Sequence, residues 1–183
     1  MAFKTVESVF SCEIEEKKSR FIAHLVPVAD FDDFLAQLKL EHRKASHHVT
    51  AFRKMEADNR IIEGCKDDGE PAGTSGMPVL KTLIGSDLID VGVIVTRYFG
   101  GTKLGTGGLA RAYSGAAKAV IEMADLHSWQ RIIRHEIFAE FSDSAEVERQ
   151  ISNAGINVLS RDFVAEGVKI QIEGPEDVVK AFL

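Results

Sequence analysis

The residues with the clearest capacity for chemistry lie between Val91 and Ala124, in VGVIVTRYFGGTKLGTGGLARAYSGAAKAVIEMA. The stretch reads as a buried strand, a loop with five glycines in nine residues (Gly100, Gly101, Gly105, Gly107 and Gly108), then a helix. Such a loop lets backbone N–H groups come close to a ligand. The helix N-terminus that follows offers unpaired N–H groups and the positive end of a dipole. Arg97, Lys103 and Arg111 add positive charge, and Tyr98 adds an aromatic ring. This set suits an anion, either phosphate or a nucleic-acid backbone. Gly100 and Gly105 have the GxxxxG spacing of a Walker A loop, but Thr106 stands where the lysine belongs. Gly105, Gly107 and Ala110 fit GxGxxG/A, yet no strand ending in an acid follows the helix, which disfavours a dinucleotide site. Two readings remain: an anion-binding surface, or glycines that only shape a tight turn.

A second group surrounds DDGEPAGTSGMP, Asp67 to Pro78. Asp67, Asp68 and Glu70 offer the oxygens a hard cation such as Mg²⁺ wants. With phosphate held by the glycine loop they would give a phosphate- or nucleotide-dependent enzyme, the alternative to a binding module; a solvated turn ahead of a helix uses them equally well, and that reading is favoured. His47 and His48 point to opposite faces if they lie on a strand. No further ligand stands at zinc spacing, so neither a metal nor a cofactor is expected. Ser75 with a histidine and Asp67 or Asp68 could compose a hydrolase trio, but GTSGM is not the GxSxG elbow. His47, His48, Arg53, Asp67, Asp68 and Glu70 are therefore held as residues of one candidate cleft.

Composition narrows the function classes. With 28 acidic and 22 basic side chains the net charge is −6, divided as −2 over residues 1–127 and −4 over 128–183. A bulk basic footprint for nucleic acid is absent, so any such binding needs a local basic cluster. No apolar run approaches the roughly 20 residues that span a bilayer, and the N-terminus lacks the apolar core of a secretory signal. Two distant cysteines, Cys12 and Cys65, fit free thiols in a cytoplasmic protein.

The elements that must hold these residues follow from hydrophobic pattern. Residues 10–28 read as a hairpin with a charged turn. Residues 30–42 read as an amphipathic helix capped by Asp30, with Phe31, Phe34, Leu35 and Leu38 on one face. Strands are predicted over 47–54 and 60–65, a short helix from Met77 to Ile84, and a strand buried on both faces over 91–98. The last helix of this part runs from Leu109 to Ala124, with a small-residue stripe of Leu109, Ala112, Ala116, Ala119, Val120 and Met123. Asp125 to Gln130 reads as a linker. After it the pattern restarts as β-α-β-β-α, with Asp143 and Glu146 forming a capping-box-like start. A ferredoxin-like domain needs one more strand, so this small domain is expected to lack its last one.

Four segments resemble the YigZ/IMPACT family in that family's order: KSRFIA (18–23), ASHHVTAFR (45–53), DDGEPAGTSGMPVL (67–80) and VIVTRYFGGTKLGTGGLARAY (93–113). The resemblance implies an α+β protein of two domains. Residues 1–127 would form a βα domain like domain IV of elongation factor G, which is shared with a small-subunit ribosomal protein. Residues 128–183 would form a ferredoxin-like domain like that factor's domain V. The eukaryotic relatives look like translation regulators that bind the co-activator of a starvation-responsive initiation-factor kinase. The implied partners are RNA, the ribosome or a translation-associated protein, with no membrane. The family supplies no catalytic residues to carry over. Phe52 and Ser75 depart from its common Tyr and Ala, and the chain's stop at Leu183 departs from its usual C-terminal domain.

Overall fold

An alternation of apolar and polar residues gives strands with one buried face, whereas an unbroken apolar run demands cover on both. VGVIVTRY is the second kind, and in the computed structural model, which describes residues 2–183, it occupies the centre of a five-stranded sheet. The elements, in order, are β1 (Lys4–Thr5), β2 (Phe10–Glu16), β3 (Ser19–Pro27), α1 (Phe31–Glu41), β4 (His47–Met55), β5 (Ile61–Lys66), α2 (Gly76–Gly85), β6 (Val91–Tyr98), α3 (Gly105–Met123) and β7 (His127–Ser128). The sheet order is β2-β3-β6-β4-β5, with every neighbouring pair antiparallel.

Helices cover both faces. Val93 and Val95 of β6 pack with Phe21, Ala23, Val49, Leu83, Ala112, Ala116 and Val120 in the core beneath α2 and α3. Ile94, one residue out of phase, packs with Val26, Phe31 and Leu38 beneath α1. Two-residue strands β1 and β7 pair with each other.

The second compact unit starts at Gln130. It comprises β8 (Ile132–Glu140), α4 (Ser144–Asn153), β9 (Asn157–Val164), β10 (Gly167–Pro175) and α5 (Glu176–Phe182). Its antiparallel sheet has the order β8-β10-β9, and Ile151, Ile156, Val168, Ile170, Ile172 and Val179 form its core. The architecture is α+β in two units, as the family resemblance implied.

Several local expectations change. Helix α3 starts at Gly105, four residues before Leu109, so three of the five loop glycines belong to its first turn. Its buried stripe is Leu109, Ala112, Tyr113, Ala116, Ala117, Val120 and Ile121, while Met123 turns outward. The expected linker contains β7, and the first unit runs through Trp129. Asp30 and Asp143 occupy cap positions, but neither side chain makes a capping hydrogen bond. Glu146 bonds Arg149 and Gln150 instead of completing a box.

Candidate anion-binding site

The site forms where β6 ends. Arg97 lies between Phe21 of β3 and His47 of β4 in the ladder, and its side chain enters the layer beneath α3. There the residue is 5% exposed. Its Nη1 donates to Glu70 Oε1 at 2.5 Å, and Nη2 reaches Ser19 Oγ at 3.4 Å. Tyr113, from the buried stripe of α3, donates its hydroxyl to the same Glu70 oxygen at 2.7 Å. His47 Nε2 stands 3.7 Å from that oxygen. The rings of Phe21 and Phe99 lie 5.5 and 5.7 Å from the Arg97 guanidinium carbon. Burial, and then the hydrogen bond to Glu70, raise the Tyr113 pKa and keep the phenol protonated. Arg97 Nε remains without a hydrogen-bond partner among the described residues.

Arg97 is thus an internal partner of Glu70 and not the free surface cation the sequence pattern suggested. Tyr98, the next residue, points to the other face, where its hydroxyl bonds His42 Nδ1 at 2.8 Å and Arg20 lies over its ring at 5.3 Å. Successive strand residues cannot share a face, so Tyr98 leaves the site.

The acidic loop does not converge on a metal. Asp67 accepts backbone N–H bonds from Gly73, Ser75 and Gly76 at 2.7, 3.1 and 2.8 Å. Burial opposes its charge, but these three donors outweigh that and hold its pKa below the usual carboxylate value. Asp68 accepts the His48 N–H at 2.7 Å, and its carbonyl accepts from His47 Nδ1 at 2.8 Å. His47 and His48 do split between faces: His48 Nδ1 pairs with Thr96 Oγ1 at 3.0 Å, and burial lowers its pKa. Arg53 lies six residues along β4 from His47, about 20 Å away at strand rise. There it bonds Glu63 and the Leu88 carbonyl, so it is not part of the cleft. Ser75 is fully buried with its hydroxyl beside Thr74, which removes the hydrolase trio. No group of three His, Cys, Asp or Glu among the described residues is placed to hold a metal ion.

What stays open is the loop from Phe99 to Leu104 and the first turn of α3. Gly100 allows a close approach: a Cβ there would collide with the Lys18 backbone. Gly101 and Gly105 have φ of +88° and +73°, which other residues adopt at a cost. Gly107 has neither reason. Apart from its neighbours in the helix, Arg111 Nη1 is the one atom among the described residues within 4 Å of a Cβ placed there, at 3.4 Å. Leu104 sits at the N-cap, and no side chain among the described residues caps the helix, so the first-turn N–H groups lack the usual partners.

A cleft of about 320 Å³ adjoins this turn, walled by Pro71, Phe99, Leu104 and Leu109. Lys103 and Arg97 supply its positive charge and Glu70 its negative. On the other flank Arg111 lines one hollow with Lys17 and Glu16 and another with Lys81. Neither Lys103 nor Arg111 ion-pairs with a described residue. Sequence reasoning missed Lys17, Lys81, Phe99, Tyr113 and Glu70's role as a buried anchor. Tyr113 carried a signal: a phenol in a small-residue stripe needs a buried acceptor.

The fold and site together define a class: a two-unit α+β protein whose larger unit joins a buried Glu–Arg–Tyr cluster to an uncapped, glycine-rich helix start. The sequence model of the Impact N-terminal domain matches residues 17–121, more than half of the chain. The chain belongs to the IMPACT family. It is 33% identical over 173 residues to an IMPACT family member of Haemophilus influenzae, covering 93% of this chain and 84% of that one. It is 33% identical over 154 residues to IMPACT family member YigZ of Escherichia coli K12, covering 82% and 76%. A crystal structure of a hypothetical protein matches with a TM-score of 0.75 at 29% identity, over 99% of this chain and 89% of that one.

Proposed function

We propose that this protein regulates translation as a binding module, and that the first turn of α3 with its basic surround contacts phosphates of RNA. Membership of the IMPACT family supports the role in translation. The observation that carries the contact surface is the uncapped N-terminus of α3 between Lys103 and Arg111, two cations with no acidic partner among the described residues. Lys17 and Lys81 extend it into the local basic cluster that an acidic protein needs in order to hold a polyanion. The carboxylates of the acidic loop are committed to protein donors, which weighs against an enzyme that uses them for a metal. No helix among the described residues is long and apolar enough to cross a membrane, and the working place proposed is the cytoplasm, beside the ribosome.

The test is RNA affinity against salt. Each phosphate contact contributes about −0.7 to −0.9 to the slope of log K against log salt. Lys103→Ala with Arg111→Ala is expected to weaken binding to single-stranded RNA and ribosomal particles, and to flatten the slope by about 1 to 2. An unchanged slope overturns the site. A lysate partner retained after nuclease treatment, with no RNA binding at low salt, points instead to a translation-associated protein.

A further inference from the structure

A cavity of about 540 Å³ lies on the α1 side of the sheet, away from the glycine loop. Helix α1 packs on β3 and β6, Phe52 of β4 is partly buried against its apolar cluster, and the cavity opens beside it over the β4–β5 hairpin. Phe31 and Leu35 of α1 form one wall and Phe52 of β4 the floor. Gly64 stands opposite Phe52 in the ladder, and a Cβ there would collide with the Phe52 ring. Glycine at this position is what lets the ring lie across β5 and keeps the floor flat.

The polar side chains are few: Thr50, Lys54 and Lys66 on the hairpin and Asp32 on α1. Thr50 is 6% exposed, lines the cavity, and its hydroxyl bonds no described residue. Lys66, opposite Thr50 in the ladder, ion-pairs with no described residue. Lys54 also lines the cavity, but its ammonium is engaged by Glu56 at 3.1 Å. Asp32 lies on the α1 side of the cavity. An apolar pocket of several hundred Å³ with a small number of convergent polar groups is the usual form of a small-molecule site. The Thr50 hydroxyl keeps access to the cavity and is free to donate to a ligand there.

We propose that this cavity binds a small aromatic anion. The aromatic body lies against Phe31, Leu35 and Phe52, and the acid group is held between the Lys66 ammonium and the Thr50 hydroxyl. Asp32 repels the acid group from the α1 side and so fixes the ligand's direction.

The test uses the full chain with 8-anilinonaphthalene-1-sulfonate as probe and the uncharged N-phenyl-1-naphthylamine as control. Saturable one-to-one binding of the sulfonate is expected, with amide shifts in ¹H–¹⁵N spectra confined to residues 28–35, 50–54 and 62–66. Lys66→Glu, on an exposed side chain, is expected to weaken the sulfonate about fivefold and to leave the uncharged probe unchanged. Gly64→Ala is expected to weaken both by pushing the Phe52 ring into the cavity. Shifts centred elsewhere, or a sulfonate affinity indifferent to Lys66→Glu, overturn the proposal. So does an extended peptide pairing along β5 in place of the probe.

Discussion

Two glycine-rich loops meet beneath α3, and they use their polar groups in opposite ways. In the loop from Asp67 to Ser75 the carboxylates are taken up internally. Asp67 binds three backbone N–H groups, Asp68 binds the His48 N–H, and Glu70 binds Arg97 and Tyr113. In the segment from Phe99 to Gly108 the start is tied down, with Ser46 and Ser19 hydroxyls accepting from the N–H groups of Phe99 and Gly100. Beyond that point the helix opens uncapped, with Lys103 and Arg111 beside it. The first loop is a structural clamp. The second presents donors and cations outward. Glycine content alone does not separate them; the fate of each charged side chain does.

The comparison breaks first at Glu70. Its side chain and that of Arg97 are 4% and 6% exposed, and removing one partner of a buried pair costs about 3–5 kcal/mol. Glu70→Ala is expected to lose that much in urea unfolding, and adding Arg97→Met to recover part of it by removing the stranded charge. A loss below about 1 kcal/mol would mean the clamp is not one.

Asp67→Ala comes next, at about 1–3 kcal/mol for three backbone donors left without their acceptor. The pH dependence has a definite sign. The folded pKa of Asp67 is depressed, so the unfolded chain takes up the proton first, and this stability is full above about pH 4. It is lost as pH falls through the folded value. Asp67→Ala is expected to flatten that acid limb of a stability–pH curve; an unchanged limb contradicts the assignment.

The open loop responds differently. Gly107 is helical with room for a methyl group, so Gly107→Ala is expected to raise stability by about 0.5–1 kcal/mol. A destabilised variant would reveal a packing role that the geometry lacks. Smallest in stability is Lys103→Ala, within about ±0.5 kcal/mol for a surface substitution. Its effect belongs in RNA affinity.

How much of this can be read from sequence depends on range. The β2–β3 hairpin and the doubly buried strand β6 are legible because period and turn chemistry are local. Family membership is legible from long ordered motifs. The start of α3 is not. Glycine's poor helix propensity argues for a loop that continues through Gly108, yet packing of the Leu109–Ala112–Ala116 stripe carries the helix back to Gly105. The Glu70–Arg97 pair spans 27 residues, and the β1–β7 ladder joins Lys4 to Ser128; no local pattern encodes either contact. Arg97 therefore reads as a surface cation, although a charge inside an otherwise apolar strand needs a buried partner.

The account's central claim is that the first turn of α3 is the open anion surface while the Asp67 loop is closed. The most direct measurement is a ¹H–¹⁵N titration of the full chain with a short single-stranded RNA at low salt. The account predicts the largest shifts at the amides of Thr106, Gly107 and Gly108, with those of Gly73, Ser75 and Gly76 still. Shifts centred on the Asp67 loop, or none at the start of α3 when RNA is bound, would contradict it.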